Sequence, residues 1–192
     1  PPMPAVSEEI GRTVAASARP GGAEGPVRGP DQQREPGAAR GRTARAALEG
    51  IEDHKYAAEA IELREFQMDE SHTLGMYIND CIRDHMTPEL VLYYSDNCFG
   101  TADAISFRNR LLRIRDLKTG VTHTSVSQLE VYTALFCLDY GEDPYEIETE
   151  LRIYQNDEVR EYTADPAHID YIIGKIIAFD ESLNELRLEE EL

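Results

Sequence analysis

The chain has 192 residues, 41% of them apolar, with 37 acidic against 19 basic side chains and a formal net charge of −18. That is enough for one domain plus a tail, and it excludes a non-specific nucleic-acid coat protein, because so acidic a surface repels phosphate at long range. No apolar run approaches the ~18 residues that span a bilayer, no secretory leader pattern opens the chain, and Cys81, Cys98 and Cys137 are too scattered for a disulfide framework or a zinc site, which together predict a reducing cytoplasm.

Residues 1–45 are rich in Pro, Gly, Ala and Arg, and they lack aromatic residues and apolar periodicity. Pro20-Gly21-Gly22 and Gly25-Pro26 interrupt any regular element. Such composition does not offset the entropy of ordering, so this stretch is predicted to be a disordered tail, a solvated extension whose arginines are also able to touch nucleic acid or a partner. Residues 1–50 hold seven Arg and six acids, leaving 12 basic and 31 acidic side chains, or −19, on the rest.

A domain is predicted over 46–192. Ala46 to Phe66 favours a helix, and Ser71 to Asp84 places Leu74, Ile78 and Ile82 on one face of a second. Thr87-Pro88-Glu89 is expected to stop that helix and turn the chain. Leu90 to Tyr94 reads as a strand, and Ala102 to Phe107 with Leu111 to Leu117 reads as a hairpin turning at Arg108-Asn109-Arg110. Ser125 to Tyr140 is an apolar helix, Ile147 to Gln155 and Val159 to Tyr162 are strands, and Asp165-Pro166 opens a last helix running to about Leu188. The mixture predicts an α/β (α+β) domain with a single core.

Chemistry concentrates at the end of the third strand, Ile114-Arg115-Asp116-Leu117-Lys118-Thr119-Gly120. Residues two apart on a strand share a side, so Asp116 and Lys118 project together where Leu112 and Ile114 have packed toward the core. An acid and an ammonium on such a face are costly without a purpose, although a local ion pair at a sheet edge accounts for them equally. Asp103 begins the preceding strand, thirteen residues before Asp116. A hairpin turning at Asn109 sets position 103 opposite 115 or 116, so the two carboxylates converge. Such a pair suits an oxygen-preferring cation like Mg2+, and Lys118 would then stabilise developing charge. A strand-start cap is the other reading of Asp103. On the next helix Gln128 and Tyr132 share a face, while Ser125-Val126-Ser127-Gln128 also has the spacing of a capping box.

Taken together, Gly100-Thr101-Ala102-Asp103, the thirteen-residue gap, Asp116-Leu117-Lys118-Thr119-Gly120, and Gln128 with Tyr132 resemble the RecB-like branch of the PD-(D/E)XK nuclease superfamily. From about Leu74 to Ile177 the chain is similar to phage-encoded exonucleases of that type, Leu151 to Asp157 included. The resemblance implies a restriction-endonuclease-like core, with a mixed central sheet flanked by helices and a C-terminal helical extension. It implies Asp103, Asp116 and the carbonyl of Leu117 as ligands of Mg2+ or Mn2+, Lys118 as the catalytic lysine, and Gln128 and Tyr132 as residues that orient DNA or the motif strands. Relatives carry a glycine, a histidine four residues later, then an acid on the first core helix. Gly75-Met76-Tyr77-Ile78-Asn79-Asp80 keeps the glycine, places Asn79 at the histidine and makes Asp80 the acid, with His72 and His85 as rival histidines. No cysteine follows Cys137, so the ligands of an iron–sulfur cluster are wanting.

The implied activity is a metal-dependent DNA exonuclease of phage-type recombination or repair in the host cytoplasm. Its product strands would pass to a single-strand annealing protein, and a homo-oligomeric ring around DNA is one form it takes. Two other readings use the same residues. One is a catalytically inactive nuclease fold that binds or scaffolds, and the other an acidic mimic of DNA.

Overall fold

The computed structural model describes residues 36–120 and 125–190. The predicted tail lies outside them up to residue 35. Helix α1, Pro36–Leu63, begins within the predicted tail rather than at Ala46. Pro36 suits a first helical position, and the Ala/Arg-rich run behind it favours helix. Helix α2 spans Thr73–Arg83. Five strands follow: β1 (Thr87–Ser95), β2 (Cys98–Arg108), β3 (Leu111–Lys118), β4 (Glu148–Gln155) and β5 (Glu158–Tyr162). Helix α3, Ser127–Tyr140, separates β3 from β4, and α4, Pro166–Glu190, ends the described chain.

The strands form one sheet in the order β1-β2-β3-β4-β5. The pairings are antiparallel except β3 with β4, which run parallel because α3 carries the chain across the sheet between them. The predicted stop at Thr87-Pro88-Glu89 is instead the start of β1, with Thr87 paired to Ile105. The turn falls earlier, at His85 with φ 52°. Pro88 fits there because β1 is an edge strand, where a missing N–H leaves no ladder bond open. The β2–β3 hairpin turns on Asn109 and Arg110, both at positive φ (52° and 63°), between the pair Arg108↔Leu111. Asn156 and Asp157 repeat this geometry between β4 and β5. Two left-handed central residues make the turn whose twist matches the strands.

The sheet has a buried cluster on each face, so the single core expected from the sequence becomes two. Leu112, Ile114, Leu151 and Ile153 pack with Leu129, Leu135 and Phe136 of α3 and with Ile169, Ile172 and Ile176 of α4. Ala104, Leu117 and Tyr154 pack with Ala57, Ala60 and Ile61 of α1 and with Tyr77, Ile78 and Ile82 of α2. Strands covered on both faces carry apolar residues of both parities, which blurs the period-two signal from which one core is read. The protein is therefore α+β, a five-stranded mixed sheet flanked by helices.

Candidate active site

The β2–β3 ladder runs from Arg108↔Leu111 to Ala104↔Arg115. Asp103 and Asp116 are the next residue on each strand, as the two-residue turn requires. The N–H of Leu117 donates to Asp103 Oδ2 at 2.9 Å, joining the two strand ends through a carboxylate. On β3 the side chains alternate. Leu112 and Ile114 enter the core beneath α3, and beyond them Lys118 Nζ donates to Asp116 Oδ1 at 2.8 Å. Arg115 and Leu117 point to the other face.

Lys118 is held from two sides. It donates also to Gln128 Oε1 at 3.1 Å, and Gln128 Nε2 donates to the Tyr132 hydroxyl at 2.9 Å. Tyr132 in turn lies against Gly100, where a Cβ would stand 2.8 Å from ring atom Cε1. The glycine of the G-x-x-D stretch is thus the space that admits Tyr132. The capping-box reading of Gln128 does not hold, because α3 is capped at Val126 with no side-chain bond and the Gln128 amide is spent on Lys118 and Tyr132.

Asp116 is 2% exposed, and its Oδ2 has no hydrogen-bond partner among the described residues. Burial, then the neighbouring Asp103, pushes its carboxyl up to about 6 against the pull of Lys118. Burial likewise raises Asp103 to about 6, with the Leu117 N–H and Lys118 opposing it and Glu89 adding to it. Two such carboxyls in one hollow carry more negative charge than a single lysine balances. Such a pair has the chemistry that suits a further cation.

The sequence did not reveal two residues beside them. His54 on α1 sets Nδ1 3.6 Å from Asp103 Oδ2. Glu89 on β1 lies between the pairs Pro88↔Ala104 and Leu90↔Ala102, alongside Asp103, and adopts φ 50°. A left-handed residue other than glycine within a strand costs roughly 1–2 kcal/mol. One ligand atom each from His54, Glu89 and Asp103 falls within 4.8 Å of the others, so the three are able to hold a metal ion. They line an open cleft of about 700 Å³ with Gly50, Thr101 and Thr119. Gly50 brings α1 close to β3, since a Cβ there would meet Thr119 Oγ1 at 2.6 Å. Gly50-Ile51-Glu52-Asp53-His54 has the glycine-to-histidine spacing sought further along the chain, and that was the signal available.

Gly75, Asn79 and Asp80 have other work. A Cβ on Gly75 would lie 1.9 Å from the Asp69 carbonyl, so this glycine admits the 65–70 segment. Asn79 fastens the same segment, accepting from Gln67 N at 2.7 Å and donating to Gln67 O at 2.9 Å. Asp80 does not join the acids of the cleft. Its Oδ2 accepts from the Tyr154 hydroxyl at 2.7 Å and faces Arg152 at 3.5 Å and Arg115 at 3.8 Å. There it balances the guanidinium of Arg115, which is 1% exposed. His72 is exposed beside Asp69 and Asp157, and His85 is exposed in its turn.

No protein-family model, curated protein or solved structure matches the chain.

Proposed function

We propose that this chain is a metal-dependent deoxyribonuclease, an exonuclease, on a restriction-endonuclease-like core of the RecB-like PD-(D/E)XK type. The observation that carries the reading is the line Asp116–Lys118–Gln128–Tyr132 beside Asp103, in which a buried carboxylate and a side-chain amide fix an ammonium at the rim of a cleft. This follows the D-x-K and Q-x-x-x-Y pattern residue by residue.

Asp103 and Asp116, with the Leu117 carbonyl, would hold Mg2+ or Mn2+. When bound, such a cation neutralises phosphate charge and polarises water for an in-line displacement. The residues themselves orient and balance. Lys118 has three N–H bonds and two acceptors among the described residues, which leaves one for an oxygen of the phosphodiester or its attacking water. Gln128 and Tyr132 keep the ammonium from collapsing fully onto Asp116. Asp103, tied to the Leu117 N–H, keeps β2 and β3 together at the reaction centre.

The inactive-fold reading draws on the acidic charge and on Asn79 standing where relatives carry a histidine; His54 beside Asp103 answers the second of these. The nuclease reading carries DNA as the binding partner, an annealing protein downstream and a homo-oligomer.

The test is incubation of end-labelled duplex with the full chain and Mg2+ or Mn2+. Stepwise release of nucleotides is expected, lost by at least a hundredfold in Lys118→Ala. Equal activity in the two proteins would sink the assignment.

A further inference from the structure

The resemblance supplies two acids, a carbonyl and a helix histidine. It supplies nothing from β1. Yet a carboxylate beside Asp103 on the β1 side belongs to Glu89, and Glu89, His54 and Asp103 each offer a ligand atom within 4.8 Å of the others. They come from three elements, α1, β1 and β2, so sequence proximity did not gather them. Glu89 takes a left-handed backbone while the ladder on either side keeps its register.

A second observation points to the same place. Asp116 Oδ2 is buried without any partner in the described residues, and both Asp103 and His54 act electrostatically on Asp116. A buried carboxylate oxygen left empty near His54 and Asp103, two of the three residues of that cluster, fits a missing cation better than a missing hydrogen bond.

We infer that Glu89 is a metal ligand of this chain, completing with His54 and Asp103 a nitrogen-bearing site that favours Mn2+ over Mg2+. Mn2+ is a hard cation that also favours oxygen, but as a transition metal it accepts an imidazole nitrogen more readily than Mg2+, which holds near-ideal octahedral geometry and keeps its waters. The carboxylate of Glu89 adds charge and a further oxygen, raising affinity for either cation. Thr101 and Thr119 at the cleft wall leave room for water or substrate oxygens in the remaining positions. This rests on the nuclease reading for its purpose, but metal binding is measured without DNA, so the two stand or fall separately.

The experiment is calorimetric titration of the metal-free full chain with Mn2+ and, separately, with Mg2+. The unaltered protein is expected to bind Mn2+ at least tenfold more tightly than Mg2+. Glu89→Gln should weaken Mn2+ binding tenfold or more. His54→Gln should weaken Mn2+ by a similar factor and Mg2+ by less than threefold. Mn2+ affinity within twofold of the parent in Glu89→Gln overturns the assignment, and an equal loss of both metals in His54→Gln overturns the preference.

A variant-free measurement covers misfolding of either protein. Fe2+ loaded into the unaltered chain, with ascorbate and peroxide, cleaves the backbone beside the bound ion. Cuts near residues 54, 89 and 103 support the site, and their absence at 89 refutes it. Intact Mn2+ binding through Glu89 in a chain that cleaves no DNA would uphold this inference while sinking the nuclease reading.

Discussion

Replacing Asp116 by asparagine should make the metal-free protein more stable while abolishing its chemistry. The carboxyl is 2% exposed and raised from its ordinary 3.8 to about 6, first by burial and next by Asp103. A group whose folded pKa is raised adds stability below its unfolded pKa and loses that stability as pH climbs through the folded value. The window therefore opens near 3.8 and closes near 6. Above it, holding the ionised carboxylate in the fold costs roughly 3 kcal/mol, at about 1.36 kcal/mol per pKa unit. Asparagine has the shape of the protonated acid and keeps an oxygen for Lys118, whose side chain is 24% exposed and reaches water for the rest.

The assay is urea or thermal unfolding in EDTA at pH 7.5 and again at pH 4. At the higher pH, Asp116→Asn should gain about 2–3 kcal/mol, or roughly 4–12 °C in Tm for a chain of this size. At pH 4 most of the difference should vanish, since the wild-type carboxyl is then protonated in the fold. Saturating Mn2+ should reverse the order. At a thousand times its Kd the ion adds about 4.1 kcal/mol to a protein that binds it, more than the variant's advantage, and the asparagine variant would lack a proposed ligand. A variant less stable than wild type in EDTA at pH 7.5 would refute the reasoning, as would a gain that persists undiminished at pH 4.

Two further substitutions test the frame around the site. Arg115→Met removes a buried guanidinium that faces Asp80, Asp84 and Glu150; stripping one partner from such a cluster should cost about 3 kcal/mol in urea unfolding, and a neutral result would show that Arg113 and Arg152 carry the balance alone. Gly75→Ala drives a methyl to 1.9 Å from the backbone oxygen of Asp69; a loss of at least ~2 kcal/mol is expected, with Mn2+ binding unchanged in the protein that remains folded, because this glycine serves the 65–70 segment and not the cleft.

The parts of the site that lie close in sequence were legible from it. A two-residue turn at Asn109-Arg110 sets the register, and the register carries Asp103 to Asp116. Strand alternation joins Asp116 to Lys118 and separates both from Arg115. None of this needs tertiary information. His54 and Glu89 escaped for a different reason. A glycine inside a helix does not name what approaches it, or whether anything does. Three helices here hold glycine: Gly75 admits a carbonyl of its own preceding loop, Gly50 admits Thr119 at the end of β3, and Gly174 meets nothing within 4 Å. Only the packing of α1 against the sheet tells them apart. Glu89 was hidden by Pro88, which reads as a stop when the residues are taken in order but is harmless on an edge strand.

The acidic balance of the chain changes meaning on the same grounds. Asp80, Asp84 and Glu150 neutralise Arg113, Arg115 and Arg152, and Glu70 and Glu146 are paired with Arg83 and Arg110; these pairs already cancel within the net −18, so the excess acids lie elsewhere. Glu89 and Asp103 line the cleft together with Lys55 and His54, and the Asp116–Lys118 pair adjoins Asp103 behind it. Three carboxylates against two ammoniums leave one negative charge, so a bound divalent cation would turn the local field positive. The net charge of −18 repels phosphate from the metal-free chain at long range, and under the proposed function the loaded cleft is the local exception.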